Sequence, residues 1–191
     1  MSIRKPFRRL KERLKSKRGL TLGETMLAML ILILLSGAMA TGIMFASDHF
    51  SKSMIRSESK VLYSTLENVI KNELANTKTV ELGAARADGS RELTRFFSQN
   101  YAAHDALSSF MVFPEGRAYG ELALGSELEV NKLLSSSAYT YGLGASVDVS
   151  YFTSPEHFRV NLTIYNKDGI SLISEPFDVV PLNKVQTDGN G

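Results

Sequence analysis

Residues that could carry catalysis are few and scattered in this sequence. The histidines His49, His104 and His157 lie more than fifty positions apart, whereas a metal site needs clustered ligands with carboxylates nearby, so we predict that these side chains face solvent. The serines of Ser135-Ser136-Ser137 lack a nucleophile-elbow context, and Gly142-Leu143-Gly144 lacks the third glycine of a phosphate-binding loop. Cysteine is absent. The sequence therefore predicts no catalytic residue, no metal and no cofactor.

One carboxylate has a position that needs an explanation. Glu24 stands at the start of an apolar run, and 23 residues without a charge separate it from Asp48. As a helix of ~1.5 Å per residue this run reaches ~35 Å, which is enough to cross a bilayer core of ~30 Å. A carboxylate drawn towards the membrane centre costs about 2.5–3.5 kcal/mol, so Glu24 predicts an oppositely charged partner.

The residues before this run carry a recognisable pattern. The stretch RGLTLGE, which ends at Glu24, resembles the processing site of type IV prepilins and type II secretion pseudopilins. The resemblance implies that a prepilin peptidase cuts between Gly19 and Leu20 and N-methylates Leu20. It also implies that Glu24 pairs with the N-terminal amine of a neighbouring subunit, and Thr21 and Leu22 match the same assembly motif. A charge pair in an apolar bundle would set the register between helices.

Two positions depart from the family pattern. Leu20 replaces the commoner Phe, and Gly23 stands where an aliphatic residue is common, which points to a minor component. The resemblance covers about thirty-five residues and implies a set of partners: a prepilin peptidase, other pilin subunits, an assembly ATPase and its membrane platform. Because many Gram-negative pilins carry a disulfide, the absence of cysteine favours a Gram-positive source.

Charge is divided unevenly along the chain. Residues 1–19 hold nine Lys and Arg against one Glu, and residues 20–191 hold thirteen against nineteen Asp and Glu, a net charge of −6. Basic residues beside a membrane segment specify the cytoplasmic side, so we expect a cytoplasmic N-terminus and an extracellular C-terminal domain. A nucleic-acid-binding arm is the less favoured interpretation of the basic leader, and the acidic remainder disfavours direct nucleic-acid binding.

A conventional signal peptide is the rival interpretation of the apolar run. Leu27 to Leu35 could form its apolar core, and Ala38-Met39-Ala40 offers a cleavage site that would release a soluble protein starting at Thr41. The long basic region, the Glu24 charge and a helical pattern that continues past Ala40 argue against it.

That pattern predicts a single long helix. Apolar residues recur mostly at spacings of three, four, seven or eight, with charged residues between them: Phe50, Met54, Val61, Leu62, Leu66, Val69, Ile70 and Leu74. Because no proline occurs from Leu20 through Thr79, we expect about 55 helical residues, with a transmembrane half at 20–47 and an amphipathic half at 48–79.

The remainder, residues 80–191, predicts a small extracellular α+β head. Val80 to Glu92 looks like a loop. Strands are predicted at Glu92–Phe97, Leu107–Phe113, Tyr119–Leu124, Leu128–Leu134, Val147–Tyr151, Phe158–Tyr165 and Ile170–Val180, with a turn at Asn166–Gly169 and a frayed tail from Gln186. Pro176 places the last strand at an edge or bulge. About four antiparallel strands would pack one face on the long helix.

Two functions of different class follow. The first is a structural subunit of a type IV pilus-like filament, pilin or pseudopilin, inserted in the cell membrane as a precursor and later part of an extracellular filament. The second is an exported or plainly anchored extracellular domain, adhesive or enzymatic. Glu24 separates them, because only the first function requires it.

Overall fold

A computed structural model of the chain describes residues 21–98, 107–113, 116–126 and 130–187. In this part of the chain one α-helix, α1, spans Leu22–Ala75, 54 residues. The chain divides into two compact units, the first ending at Ser51 and the second beginning at Lys52. The second unit contains the end of α1 and all the strands.

The strands of the second unit form two sheets. Their bounds are β1 Thr77–Ala85, β2 Arg91–Ser98, β3 Ser109–Phe113, β4 Glu121–Gly125, β5 Val130–Lys132, β6 Gly144–Thr153, β7 Glu156–Tyr165, β8 Ser171–Val179 and β9 Gln186–Thr187. The larger sheet has the order β8-β7-β6-β2-β1-β9 and the smaller one β3-β4-β5. All pairs are antiparallel except β1 with β9, which makes the larger sheet mixed. The fold is α+β.

The core of the second unit lies between α1 and the larger sheet. Four α1 residues at helical spacing are fully or almost fully buried: Leu62, Leu66, Ile70 and Leu74. The alternate residues of β7 meet them in the same apolar cluster: Phe158, Val160, Leu162 and Ile164. Apolar residues repeat about every 3.6 positions along the helix and every 2 positions along the strand, so each element has one apolar face. These two faces pack together in the core.

The smaller sheet sits where β2 and β6 separate. These two strands pair only at Arg91↔Tyr151 and Glu92↔Ser150, and beyond that point Phe96 of β2 bridges Ser108 while Ala145 of β6 bridges Gly120. Glycine is required at position 120, because a Cβ there would lie 2.4 Å from the carbonyl oxygen of Phe113.

The predicted end of the helix was wrong by four residues. The predicted loop from Val80 to Glu92 is strand β1 up to Ala85, a turn at 86–90, and the start of β2 from Arg91. Helix α1 stops at Ala75 because its last carbonyls find other donors: the side-chain amide of Asn76 donates to the Asn72 carbonyl at 2.8 Å, and the Leu182 N–H donates to the Ala75 carbonyl at 2.8 Å. The β-branched residues after Asn76 then join β1.

Two further expectations for the head need correction. The larger sheet has six strands, not about four, and β9 in the predicted frayed tail pairs with β1 through Thr79↔Gln186 and Val80↔Thr187. The predicted hairpin at Asn166–Gly169 is confirmed, with Gly169 at φ 76° and the Asn166 side chain accepting from the Ile170 N–H at 2.9 Å. Pro176 lies in β8, which is an edge strand as predicted.

Candidate assembly surface

The first turn of α1 is closed by a reciprocal pair of side chains. The Glu24 carboxylate accepts from the Thr21 N–H at 2.9 Å and from the Thr21 hydroxyl at 3.1 Å, while the Thr21 hydroxyl accepts from the Glu24 N–H at 3.3 Å. This is a capping box, which satisfies two backbone donors at the helix N-terminus. The two residues singled out in the sequence motif thus also start the helix.

Of the other motif residues, the structure describes Leu22 but not Gly19 and Leu20. Leu22 opens α1 with 81% of its surface exposed. Gly19 and Leu20, the predicted cleavage pair, lie outside the described residues, as does the leader before them. The structure therefore places Thr21, Leu22 and Glu24 together on the first turn.

The charge-free run of α1 is exposed in the part of the chain that the structure describes. Every side chain from Met26 to Phe50 is exposed, and the helix is long and apolar enough to cross a membrane. The hydroxyls of Ser36 and Thr41 donate to the carbonyls four residues earlier, at 2.8 and 2.9 Å. Polar groups satisfied within the helix are compatible with an apolar surrounding. Such a surface needs lipid or other apolar helices against it.

A smaller exposed apolar patch continues on α1 in the second unit. Met54 and Val61 are seven residues apart and are 38% and 58% exposed, although the sequence pattern placed them with the buried residues. That part of the prediction was wrong, and so was the inclusion of Phe50, which is 67% exposed. Successive residues of an α-helix are rotated by about 100° around its axis. Val61 therefore lies on a different side of α1 from the buried Leu62 and Leu66, and it faces away from the sheet.

The histidines form no shared site in the described chain. His49 is exposed and its ring centroid lies 4.3 Å from that of Phe45. His157 is half-buried rather than solvent-facing, because its ring stacks on Phe152 at 4.5 Å and its Nδ1 lies 2.7 Å from the Pro155 carbonyl oxygen. His104 falls outside the described residues, within which no three His, Cys, Asp or Glu side chains are grouped to hold a metal.

An ion pair between Arg86 and Asp148 links two segments of the larger sheet. Arg86 binds the Asp148 carboxylate with two hydrogen bonds, at 2.8 and 2.7 Å, and donates to the Ser150 hydroxyl at 2.8 Å. The bond to Arg86 lowers the pKa of Asp148. Sequence reasoning missed this pair because its members are 62 positions apart and Arg86 lay in the predicted loop. The pair joins the turn after β1 to β6.

A buried tyrosine ties the C-terminal segment to the sheet. The Tyr151 hydroxyl and the Val185 N–H both donate to one carboxylate oxygen of Glu156, each at 2.9 Å. Burial and the Glu156 carboxylate raise the pKa of Tyr151. A phenol held neutral in this way is a hydrogen-bond donor rather than a nucleophile.

The fork between β2 and β6 leaves a small cleft. Its volume is about 190 Å³, below the ~300 Å³ at which pockets for drug-sized ligands begin. Leu93, Phe96 and Phe110 form apolar walls, and the polar groups are Glu92, Thr94 and Asp148. Arg86 binds Asp148, so this carboxylate of the cleft is already paired.

No protein-family model matches this sequence, and no match is found among curated proteins or solved structures. Function therefore has to be inferred from the residues and their geometry.

Proposed function

We propose that the chain is a structural subunit, pilin or pseudopilin, of a type IV pilus-like filament. A prepilin peptidase removes residues 1–19, and the mature subunit waits in the cell membrane with its head outside. An assembly ATPase and a membrane platform then move subunits into the filament, where α1 packs against α1 of other subunits. The chain is not an enzyme in this proposal, and it requires no cofactor.

The observation that carries the proposal is a charged residue at the start of the long, exposed apolar run of α1. Glu24 sits in the first turn of α1, and of the 23 charge-free residues after it, all those from Met26 to Ser47 are exposed. A plain membrane anchor would explain the apolar surface, and the capping box alone accounts for a carboxylate at its start. A filament subunit uses both features further, because a second subunit supplies apolar helix surface and, once processed, an amine for the carboxylate.

The capping box is compatible with that pairing. Glu24 accepts both Thr21 bonds through the same oxygen, Oε2, and a carboxylate has about four lone-pair sites. Cleavage after Gly19 would create a positive amine at Leu20, one residue before Thr21. The Glu24 carboxylate therefore retains acceptor capacity for an amine, whether from its own chain or from a neighbour.

The decisive experiment is N-terminal and intact-mass analysis of the full-length chain expressed with and without a prepilin peptidase. The proposal predicts a mature chain that begins at Leu20, with an added methyl group, only when the peptidase is present. A Gly19→Ala variant is the matched control, since it should keep its leader. A start at Thr41 would instead indicate a signal peptide, and an uncut Met1 a plain anchor. Either result would overturn the proposal.

A further inference from the structure

Three basic side chains at the start of the second unit have no partner among the residues that the structure describes. Lys52, Arg56 and Lys60 follow one another at intervals of four residues, so they lie along one side of α1, about 6 Å apart. All three side chains are exposed, and none forms a hydrogen bond or an ion pair with a described residue. Lys71, further along α1, is by contrast paired with Glu67 at 2.6 Å. We call Lys52, Arg56 and Lys60 the basic row.

The cleft between β2 and β6 has the opposite character. Its walls are apolar, and its rim carries Glu92, Thr94 and Asp148, all of them exposed. Arg86 binds the Asp148 carboxylate, whereas Glu92 has no hydrogen bond or ion pair within the described part of the chain. A volume of about 190 Å³ suits one long side chain, whose apolar stem lies against the walls while its charge stays at the rim. The cleft therefore fits a lysine or an arginine.

The charges around the cleft favour such a basic group. Residues directly opposite each other on neighbouring strands point to the same face of a sheet. One line of opposed residues crosses four strands: Glu92, Ser150, Arg159 and Asp178. Asp148 and Asp88 lie beside this line, since both raise the pKa of Arg86, Asp148 more strongly through its hydrogen bond. The face thus holds four carboxylates against the guanidinium groups of Arg86 and Arg159, a net charge of −2.

The basic row and the cleft lie on opposite faces of the larger sheet. In β7, Val160 packs in the core with α1, and Arg159 before it points to the other face. The rim of the cleft shares the face of Arg159, whereas α1 covers the face of Val160. Because the sheet separates them, the basic row can reach a cleft only on a second copy. A contact between two unlike surfaces forms an open filament or a ring rather than a two-fold dimer.

We infer that Arg56 of one copy enters the cleft of a second copy and binds its Glu92, with Lys52 and Lys60 facing the carboxylates around the cleft. Arginine suits this position because its planar guanidinium can bind a carboxylate with two hydrogen bonds. The contact rests on the proposed filament, to which it adds an interaction between heads. Cleavage after Gly19 does not involve it, so the mass analysis and the test of this contact can fail separately.

The test is a charge exchange in the full-length chain, purified in detergent. Because the chain has no cysteine, one copy with Ser53→Cys, one turn from Arg56, and one with Thr94→Cys, on the cleft rim, are joined only at those positions by a short bis-maleimide. Both positions are exposed. We expect Arg56→Glu or Glu92→Arg, introduced into both copies, to reduce this cross-link at least about tenfold, as expected for a close interfacial charge pair. The two changes combined should restore the cross-link.

Lys167→Glu is the matched control, because Lys167 is exposed in the hairpin after β7 and its replacement changes the net charge as Arg56→Glu does. It should cross-link like the unaltered pair, and a loss equal to that of Arg56→Glu would refute the contact. A cross-link that neither single change lowers, or that the combination does not restore, would also refute it. If Arg56→Glu abolished binding to soluble polyphosphate but left the cross-link intact, the basic row would belong to a polyanion instead.

Discussion

The Glu24 carboxylate has a local role that the structure shows and an intermolecular role that we propose. Locally it closes a capping box with Thr21. Between subunits it would pair with an amine. The two roles are separable by chemistry, because glutamine at the third helical position also completes a capping box but carries no charge.

We predict that Glu24→Gln and Glu24→Ala are processed normally but fail to enter filaments. Thr21→Ala loses the cap, a change worth about 0.5–2 kcal/mol in helix stability, yet keeps the charge, so its incorporation should fall less. Processing is measured by N-terminal mass, and incorporation by the amount of subunit in sheared filaments. Normal incorporation of Glu24→Gln would exclude the charge-pairing role and leave Glu24 as a helix cap only.

A second residue-scale prediction concerns Asp148. Arg86 lowers its pKa in the folded chain relative to about 3.9 in the unfolded chain. The stabilisation is therefore fully present above about pH 4 and is lost as the pH falls through the lowered pKa. The pair is half-exposed, so its contribution should not exceed about 1 kcal/mol.

The measurement is denaturant unfolding of the full chain in detergent as a function of pH. Asp148→Asn should be less stable than the wild type near neutral pH, and the difference should shrink as the pH falls through the lowered pKa of Asp148, where the wild-type carboxyl becomes protonated. Asp48→Asn, an exposed carboxylate in the first unit, is the control. A difference that is constant with pH would mean that the Arg86 bond does not depend on the charge of Asp148.

At the scale of elements, α1 in the second unit has two unlike sides. Leu66 is completely buried and Val61, five residues earlier, is 58% exposed. Leu66→Ala should lower the free energy of unfolding by about 2–5 kcal/mol, because it leaves a cavity in the core. Val61→Ala should change it by no more than about 0.5 kcal/mol. Denaturant unfolding compares the two, and equal losses would show that Val61 is covered in solution.

Strands and helices were predictable to different degrees. The alternation in β7 and the turn after it were confirmed because a strand with one buried face alternates in sequence and Asn, Asp and Gly favour a turn. The strand β1 was missed because its burial is irregular, with register shifts against β2. The pairing of β9 with β1 joins segments about a hundred positions apart, and no local pattern encodes it.

At the scale of the whole molecule, the proposed processing reverses the sign of the charge. The complete chain carries +2, while residues 20–191 carry −6. The processed chain should therefore focus below pH 7 and should not bind duplex DNA at physiological salt, whereas the leader gives the precursor its basic character. Isoelectric focusing and a DNA-retention assay on both forms check this. Salt-sensitive DNA binding by the processed chain would show a basic surface that net charge conceals.

The sequence by itself determined the apolar run, the position of Glu24, the uneven charge and the α+β class, because each depends on composition or on short-range periodicity. The tertiary structure decided which apolar residues of α1 are covered, where α1 ends, and how β9 and β1 pair. Those features depend on contacts between residues far apart in the chain, such as Leu182 with Ala75 and Arg86 with Asp148. Burial and pairing are properties of the partner surface as well as of the residue, so only the assembled fold specifies them.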